Sequence, residues 1–171
     1  SLVPDINLAY ISGFYKLNDE SAIGSSLRYF SLGQIQLTDL FMQDLGIYSP
    51  NEFALDATYA RRFGEEFSLG TTARYIYSNL TSGQFSAGQQ TKAGTAFALD
   101  VSAFYKKPTV LFGKDAIVSA GANFSNIGTK MSYLETGGEQ FLPTNMKIGG
   151  ATTLIIDDYS QFTFALDFNK L

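Results

Sequence analysis

Residues 51–78 read NEFALDATYARRFGEEFSLGTTARYIYS, and this stretch decides the fold. Phe53, Leu55, Ala57 and Tyr59 alternate with Glu52, Ala54, Asp56 and Thr58. After the turn residues Gly64-Glu65-Glu66, Phe67, Leu69, Thr71, Ala73, Tyr75 and Tyr77 alternate with Ser68, Gly70, Thr72, Arg74 and Ser78. A period of two sends one set to each face of a sheet. The stretch is therefore a hairpin with one apolar, aromatic face and one small, polar face carrying a charge near the middle of each strand. The apolar face requires an apolar neighbour, either a second sheet or lipid.

The rest of the chain decides between those two. Charged residues are 16% of the 171, against roughly 25% in ordinary soluble domains. Aromatics are 15%, as 10 Tyr and 15 Phe with no Trp, and 16 Gly accompany only 4 Pro. Strands that face lipid on one side and water on the other give this combination. No apolar run reaches the length of a membrane helix. The formal charge of −4 argues against a nucleic-acid partner, which selects a basic stripe. Cysteine and histidine are absent, which removes thiolate and Ser-His or Cys-His catalysis and the usual zinc sites.

Outward from the hairpin, the periodicity predicts eight strands: about Ile6 to Leu17, Ala22 to about Gln36, the two of the hairpin, Thr95 to Lys106, Ala116 to Ile127, Asn145 to Ile156, and Gln161 to Leu171. Most reach the 9–11 residues that a tilted membrane strand needs. Connections after strands one, three, five and seven are shorter, including a medium one, Lys107–Asp115, that carries Pro108. Those after two, four and six are longer. Outer-membrane barrels sort their connections in this way, short on the periplasmic side and long on the outer side. The fold expected is an all-β, antiparallel transmembrane barrel in the outer membrane of a Gram-negative bacterium, with outer-membrane lipid against the aromatic face. The alternative is a soluble antiparallel barrel of the lipocalin kind. Ser1 enters a strand almost directly and Leu171 closes one, so residues 1–171 are read as a single barrel domain that is a piece of a larger one, with both ends missing.

On the polar face, strands two to five offer Arg28, Asp56, Arg74 and Asp100, strand six Asn123, and strands seven and eight Lys147 and Asp167. Opposite charges on neighbouring strands attract, so these residues are expected to form a structural belt inside a lumen. Tyr59, Phe63, Phe67, Tyr105, Tyr159 and Phe162 gather near the short turns, as an interfacial girdle would. The first long connection carries Phe41, Met42, Leu45, Ile47 and Tyr48. Apolar residues exposed on a loop mark an interaction site; packing on the loop's own barrel mouth is the competing reading. The acidic pairs Glu65-Glu66 and Asp157-Asp158 fall in turns and read as solvated. No phosphate-binding Gly-rich loop occurs, and no cofactor is expected.

Several stretches together resemble the PorV (LptO) family of type IX secretion. They are Tyr15-Lys16-Leu17-Asn18-Asp19, Ser26-Leu27-Arg28-Tyr29-Phe30-Ser31-Leu32-Gly33, Pro50-Asn51-Glu52-Phe53, Ala73-Arg74-Tyr75-Ile76-Tyr77-Ser78, Asn126-Ile127-Gly128-Thr129-Lys130, Phe141-Leu142-Pro143-Thr144-Asn145 and Phe164-Ala165-Leu166-Asp167-Phe168-Asn169-Lys170-Leu171. The resemblance implies a FadL-like barrel of roughly fourteen strands and no enzymatic activity. It implies binding of the C-terminal signal domains of exported cargo at a SprA-type translocon barrel, and delivery to a surface complex containing a PorU-type sortase. PorQ is a related barrel and the alternative to PorV within this resemblance. A FadL-like channel for hydrophobic small molecules is the alternative function.

Overall fold

The computed structural model describes residues 6–38, 44–80, 85–86, 89–134 and 138–170. Eight long strands form one antiparallel sheet in chain order: β1 (Asn7–Lys16), β2 (Ser21–Ser31), β3 (Asn51–Phe63), β4 (Phe67–Asn79), β5 (Gly94–Leu111), β6 (Lys114–Gly128), β7 (Asn145–Ile155) and β8 (Gln161–Lys170). Each pairs with its sequence neighbours, and β1 and β8 are the edges, so the sheet is open. Among the described residues, three short two-stranded ribbons lie in the long connections, including Ile35–Thr38 with Asp44–Tyr48, and Lys130–Met131 with Gln140–Phe141. No helix among the described residues is long and apolar enough to cross a membrane.

The ladder registers settle the faces. Leu27, Leu55 and Tyr75 lie across from one another, followed by Phe97. Further along, Val101, Phe124 and Met146 continue the same face. These side chains have no layer against them: Leu55 is 48% exposed, Leu69 40%, Leu99 44% and Phe168 68%. On the other face, Ser26, Asp56, Arg74 and Ala98 follow from strand to strand, and further along Gly70, Ser102, Asn123, Lys147 and Asn169 do the same. From Leu55 to Ala60 in β3, the side chains on the polar face are half-buried and those on the apolar face exposed. A single sheet shields one face more than the other by curling toward it, as strand twist allows. The polar face is thus the sheltered side. At the two edges the distinction disappears: every described residue of β1 and β8 is exposed, because each edge strand has one neighbour instead of two. β1 also carries Tyr10 and Phe14 on the polar face, opposite Arg28 and Gly24.

All four short turns lie at one end of the sheet and all three long connections at the other. Asn18 Oδ1 accepts from the backbone N–H groups of Glu20 (2.9 Å) and Ser21 (2.8 Å) and closes the first turn, the Asx-turn use of asparagine. The third turn differs from the sequence reading. Residues 107–111 are not a connection but the last part of β5, and the chain reverses at Phe112-Gly113, with Leu111 opposite Lys114. Both central residues have positive φ, 54° and 74°, as a two-residue type I′ turn requires. Pro108 does not break the strand. Lys106 N–H donates to Glu66 O (2.8 Å), on the β4 side. Two residues on, Pro108 N points to the same side, past the end of β4, where no ladder bond is lost. At the other end of β2 the strand stops at Ser31, and residues 35–38 belong to the separate ribbon. The alternation in β2 continues across residues 35–38, so periodicity alone merges the two.

Candidate functional site

The charged groups on the polar face separate into one compact cluster and several unpaired members. Asp56 on β3 lies directly opposite Arg74 on β4. Arg74 Nε donates to Asp56 Oδ1 at 2.7 Å, and its second terminal nitrogen lies 3.1 Å from Asp100 Oδ2 on β5. Arg74 has Ala98 as its partner on β5. That small residue lets the guanidinium extend over β5, where its other terminal nitrogen donates to Asn126 Oδ1 on β6 at 2.8 Å. Asn126 N–H donates in turn to Asp100 Oδ1 at 2.8 Å, and Ser26 Oγ donates to Asp56 Oδ2 at 3.0 Å. All four carboxylate oxygens have a donor, and every nitrogen of the guanidinium is engaged. The three charged side chains are only 13–19% exposed, and half-burial is tolerable because the network is satisfied throughout. With each carboxylate oxygen and each guanidinium nitrogen partnered, the network ties four consecutive strands, β3 to β6, together.

Asn126 is the member that periodicity misses. The β5–β6 register slips between Phe124 and Ile127, where Ser125 and Asn126 together oppose Asp100. The bulge puts Asn126 at φ 60°, a left-handed conformation that asparagine accepts more readily than most residues. It also lets Phe124 and Ile127, three apart, both stand exposed on the apolar side, at 43% and 46%. Asn123, the sequence expectation for β6, is on the polar face but opposite Ser102 and Lys147. The one sequence signal for the bulge is an Asn-Ile-Gly triplet where alternation fails.

The other members of the expected belt are not paired with it. Asp56 faces Ser26 on β2; Arg28 sits two residues further along, between Tyr10 and Ala54. The Arg28 guanidinium lies 6.0 Å from the centre of the Tyr10 ring, a cation–π arrangement at its outer limit. Lys147 lies opposite Asn123 and Asn169. Asp167 lies opposite Gly149, whose missing side chain leaves room for the carboxylate. Among the described residues Arg28, Lys147 and Asp167 form no ion pair. Small residues, including Ser119, Gly121, Gly149 and Ala151, leave a shallow groove of about 370 Å³ beside Lys147 and Asp167.

At the long-connection end, the loop residues expected to meet a partner divide. Phe41 and Met42 lie outside the described residues. Leu45 is within the strand Asp44–Tyr48. Ile47 is 63% exposed, whereas Tyr48 OH donates to Asn79 O at 2.8 Å, at the end of β4. Part of this loop therefore packs on its own sheet, and Ile47 stands free of it. At the short-turn end, Phe63 and Phe67 face each other at 6.5 Å, and Phe112 and Tyr159 are 95% and 99% exposed. There Glu66 accepts from Tyr105 OH (2.8 Å) and lies 3.4 Å from Lys107. The tyrosine hydroxyl, and secondarily Lys107, hold the Glu66 carboxyl below its ordinary range.

A family model described as type IX secretion system protein PorV matches residues 1–171. The chain belongs to the PorV family. No curated protein matches it. Membership of the PorV family makes the chain a component of type IX secretion. The stretches that carried the resemblance now have positions. Ala73–Ser78 contributes Arg74 to the cluster, Asn126–Lys130 supplies the bulge, and Pro50–Phe53 opens β3.

Proposed function

We propose that the sheet is part of the wall of a transmembrane β-barrel in the outer membrane, and that the protein is an adaptor without covalent chemistry. In this reading it binds the C-terminal signal domains of exported cargo at a SprA-type translocon barrel. It then hands the cargo to an attachment complex with a PorU-type sortase. The observation that carries the reading is the division of the faces: unlayered Leu, Phe and Tyr on one side, a satisfied Asp56–Arg74–Asp100–Asn126 cluster on the other. At mid-membrane depth an Arg on the lipid side costs about 2–4 kcal/mol, so Arg74 belongs on a watered interior. Lipid also tolerates no open sheet edge, so β1 and β8 pair with further strands of a larger barrel. The ribbons at the long-connection end, with Ile47 exposed, are the surface offered to cargo; Phe41, Met42, Leu45 and Tyr48 of the same connection are the further residues proposed for that contact.

A second reading, a FadL-like channel for hydrophobic small molecules, is favoured by one feature. A cleft of about 400 Å³ at the long-connection end is lined by Met131, Tyr133, Leu134, Phe141 and Leu142. Purification in detergent followed by mass spectrometry of bound material separates the two. Recovery of a large translocon subunit or of secreted cargo supports the adaptor. Recovery of fatty acid alone refutes it and supports the channel.

A further inference from the structure

The connection after β6 does not leave the sheet at once. Thr129 N–H donates to Phe97 O at 2.8 Å, and Phe97 N–H donates to Thr129 Oγ1 at 3.0 Å. Met131 is buried and lies against Gly94, where a Cβ would stand 2.8 Å from its Cγ. Lys92 N–H donates to Tyr133 O at 2.8 Å, and Tyr133 OH donates to Ser78 Oγ at 2.7 Å. Ser78, 1% exposed, donates in turn to the Glu52 carboxylate. Gly94, Ser78 and Glu52 form one rung across β5, β4 and β3, on the face that carries Arg74. Residues 129–134 therefore run from β6 back across two strands on the sheltered face, at the end where the long connections gather. Ala96, two residues on from Gly94 on the same face, is 1% exposed.

We infer that residues 129–134 are a strap that closes the polar face at this end, and that the Tyr133–Ser78–Glu52 chain is its latch. Taking that face as a lumen rests on the barrel reading above. The strap is built to release. Beyond the Thr129–Phe97 bonds at its root, it is held by the Tyr133–Ser78 hydrogen bond on β4, by Met131 seated on Gly94 of β5 and by the Lys92–Tyr133 backbone bond just before β5. The Asp56–Arg74–Asp100–Asn126 cluster below it fixes the sheet it closes on. Breaking the Tyr133 hydrogen bond loosens the strap and leaves the ladder intact.

The test is the rate at which a water-soluble maleimide labels Ala96→Cys in the full-length protein in detergent or lipid; this chain contributes no other cysteine. Tyr133→Phe should raise the rate roughly tenfold, the effect of losing one partly buried hydrogen bond on an opening equilibrium, and Ser78→Ala should do the same. Tyr159→Phe, at an exposed turn, should leave it unchanged. Equal rates in wild type, Tyr133→Phe and Ser78→Ala would overturn the latch. A second variant pair holds the strap shut. The Gly94 and Met131 Cβ atoms are at most about 4.3 Å apart, given the 2.8 Å contact and one C–C bond, which is within disulfide reach. Gly94→Cys with Met131→Cys, oxidised, should protect the 129–134 amides from hydrogen exchange, and reduction should restore exchange. Exchange that is the same in both states would also overturn the strap. Leu99→Cys on the opposite face checks the membrane reading separately. Labelling there by the water-soluble reagent in lipid would remove that reading and leave the latch result standing.

Discussion

Replacing Arg74 by Met is the most demanding perturbation of this sheet. The substitution keeps much of the side chain's volume and removes the one cation that faces Asp56 at 2.7 Å and Asp100 at 3.1 Å. Two half-buried carboxylates then remain close together with Ser26, the Asn126 N–H and water as their partners. Removing one member of a buried pair costs about 3–5 kcal/mol, because the other charge is left uncompensated. The 13–19% exposure of these side chains puts the expected loss at the low end, about 3 kcal/mol. Urea unfolding of the refolded protein, followed by far-ultraviolet circular dichroism and extrapolated linearly, measures it. Adding Asp56→Asn and Asp100→Asn to Arg74→Met removes the stranded charges and should return at least about 1 kcal/mol. Arg74→Lys should recover little, because an ammonium cannot reach Asp56, Asp100 and Asn126 together. An Arg74→Met protein within about 0.5 kcal/mol of wild type, or a triple variant less stable than the single one, would refute the view that this cluster ties β3 to β6.

Leu55→Arg should cost about 2–4 kcal/mol of folding stability in bilayers, while Thr58→Arg on the polar face should cost distinctly less; equal costs would contradict the assignment of faces. Asn126→Ala loses both the left-handed tolerance and the amide bonded to Arg74, and should cost about 2 kcal/mol in the same unfolding assay. Asn126→Gly should restore only the backbone share. Gly149→Ala sets a methyl group against the Asp167 carboxylate and should destabilise by about 1–3 kcal/mol, with Asp167→Ser in the same chain reversing most of it. Glu66 is held below its ordinary range by Tyr105. Its tether contributes stability above the ordinary glutamate range, lost as pH falls through the lower folded value. Tyr105→Phe should therefore move the Glu66 titration seen by NMR upward.

The fold was legible because strand faces are a local property. Phe53, Leu55 and Tyr59 fall on one side and Asp56 and Thr58 on the other whatever the rest of the chain does, and the registers bear this out. The order of short and long connections was equally readable, since turn residues such as Asn18 act on their own neighbours. Charge partners were less so. Arg28 and Asp56 look like neighbours on adjacent strands, but a two-residue offset in register gives Asp56 to Ser26 and leaves Arg28 beside Tyr10. Pro108 read as a break because its effect depends on whether a neighbouring strand needs its missing N–H, and β4 has ended by then.

By itself, then, the sequence determined the eight alternating strands, their two faces and the end at which the long connections gather, because period, turn chemistry and hydropathy act within a few residues. Only the tertiary structure decided that Asn126 joins Arg74 through a bulge and that Tyr133 returns to Ser78, 55 residues away in the chain. Those contacts depend on register and on a connection folding back over the sheet, and both are fixed by pairing between strands far apart in the chain, of which the Asn126-Ile127-Gly128 triplet marks the bulge but not its partner.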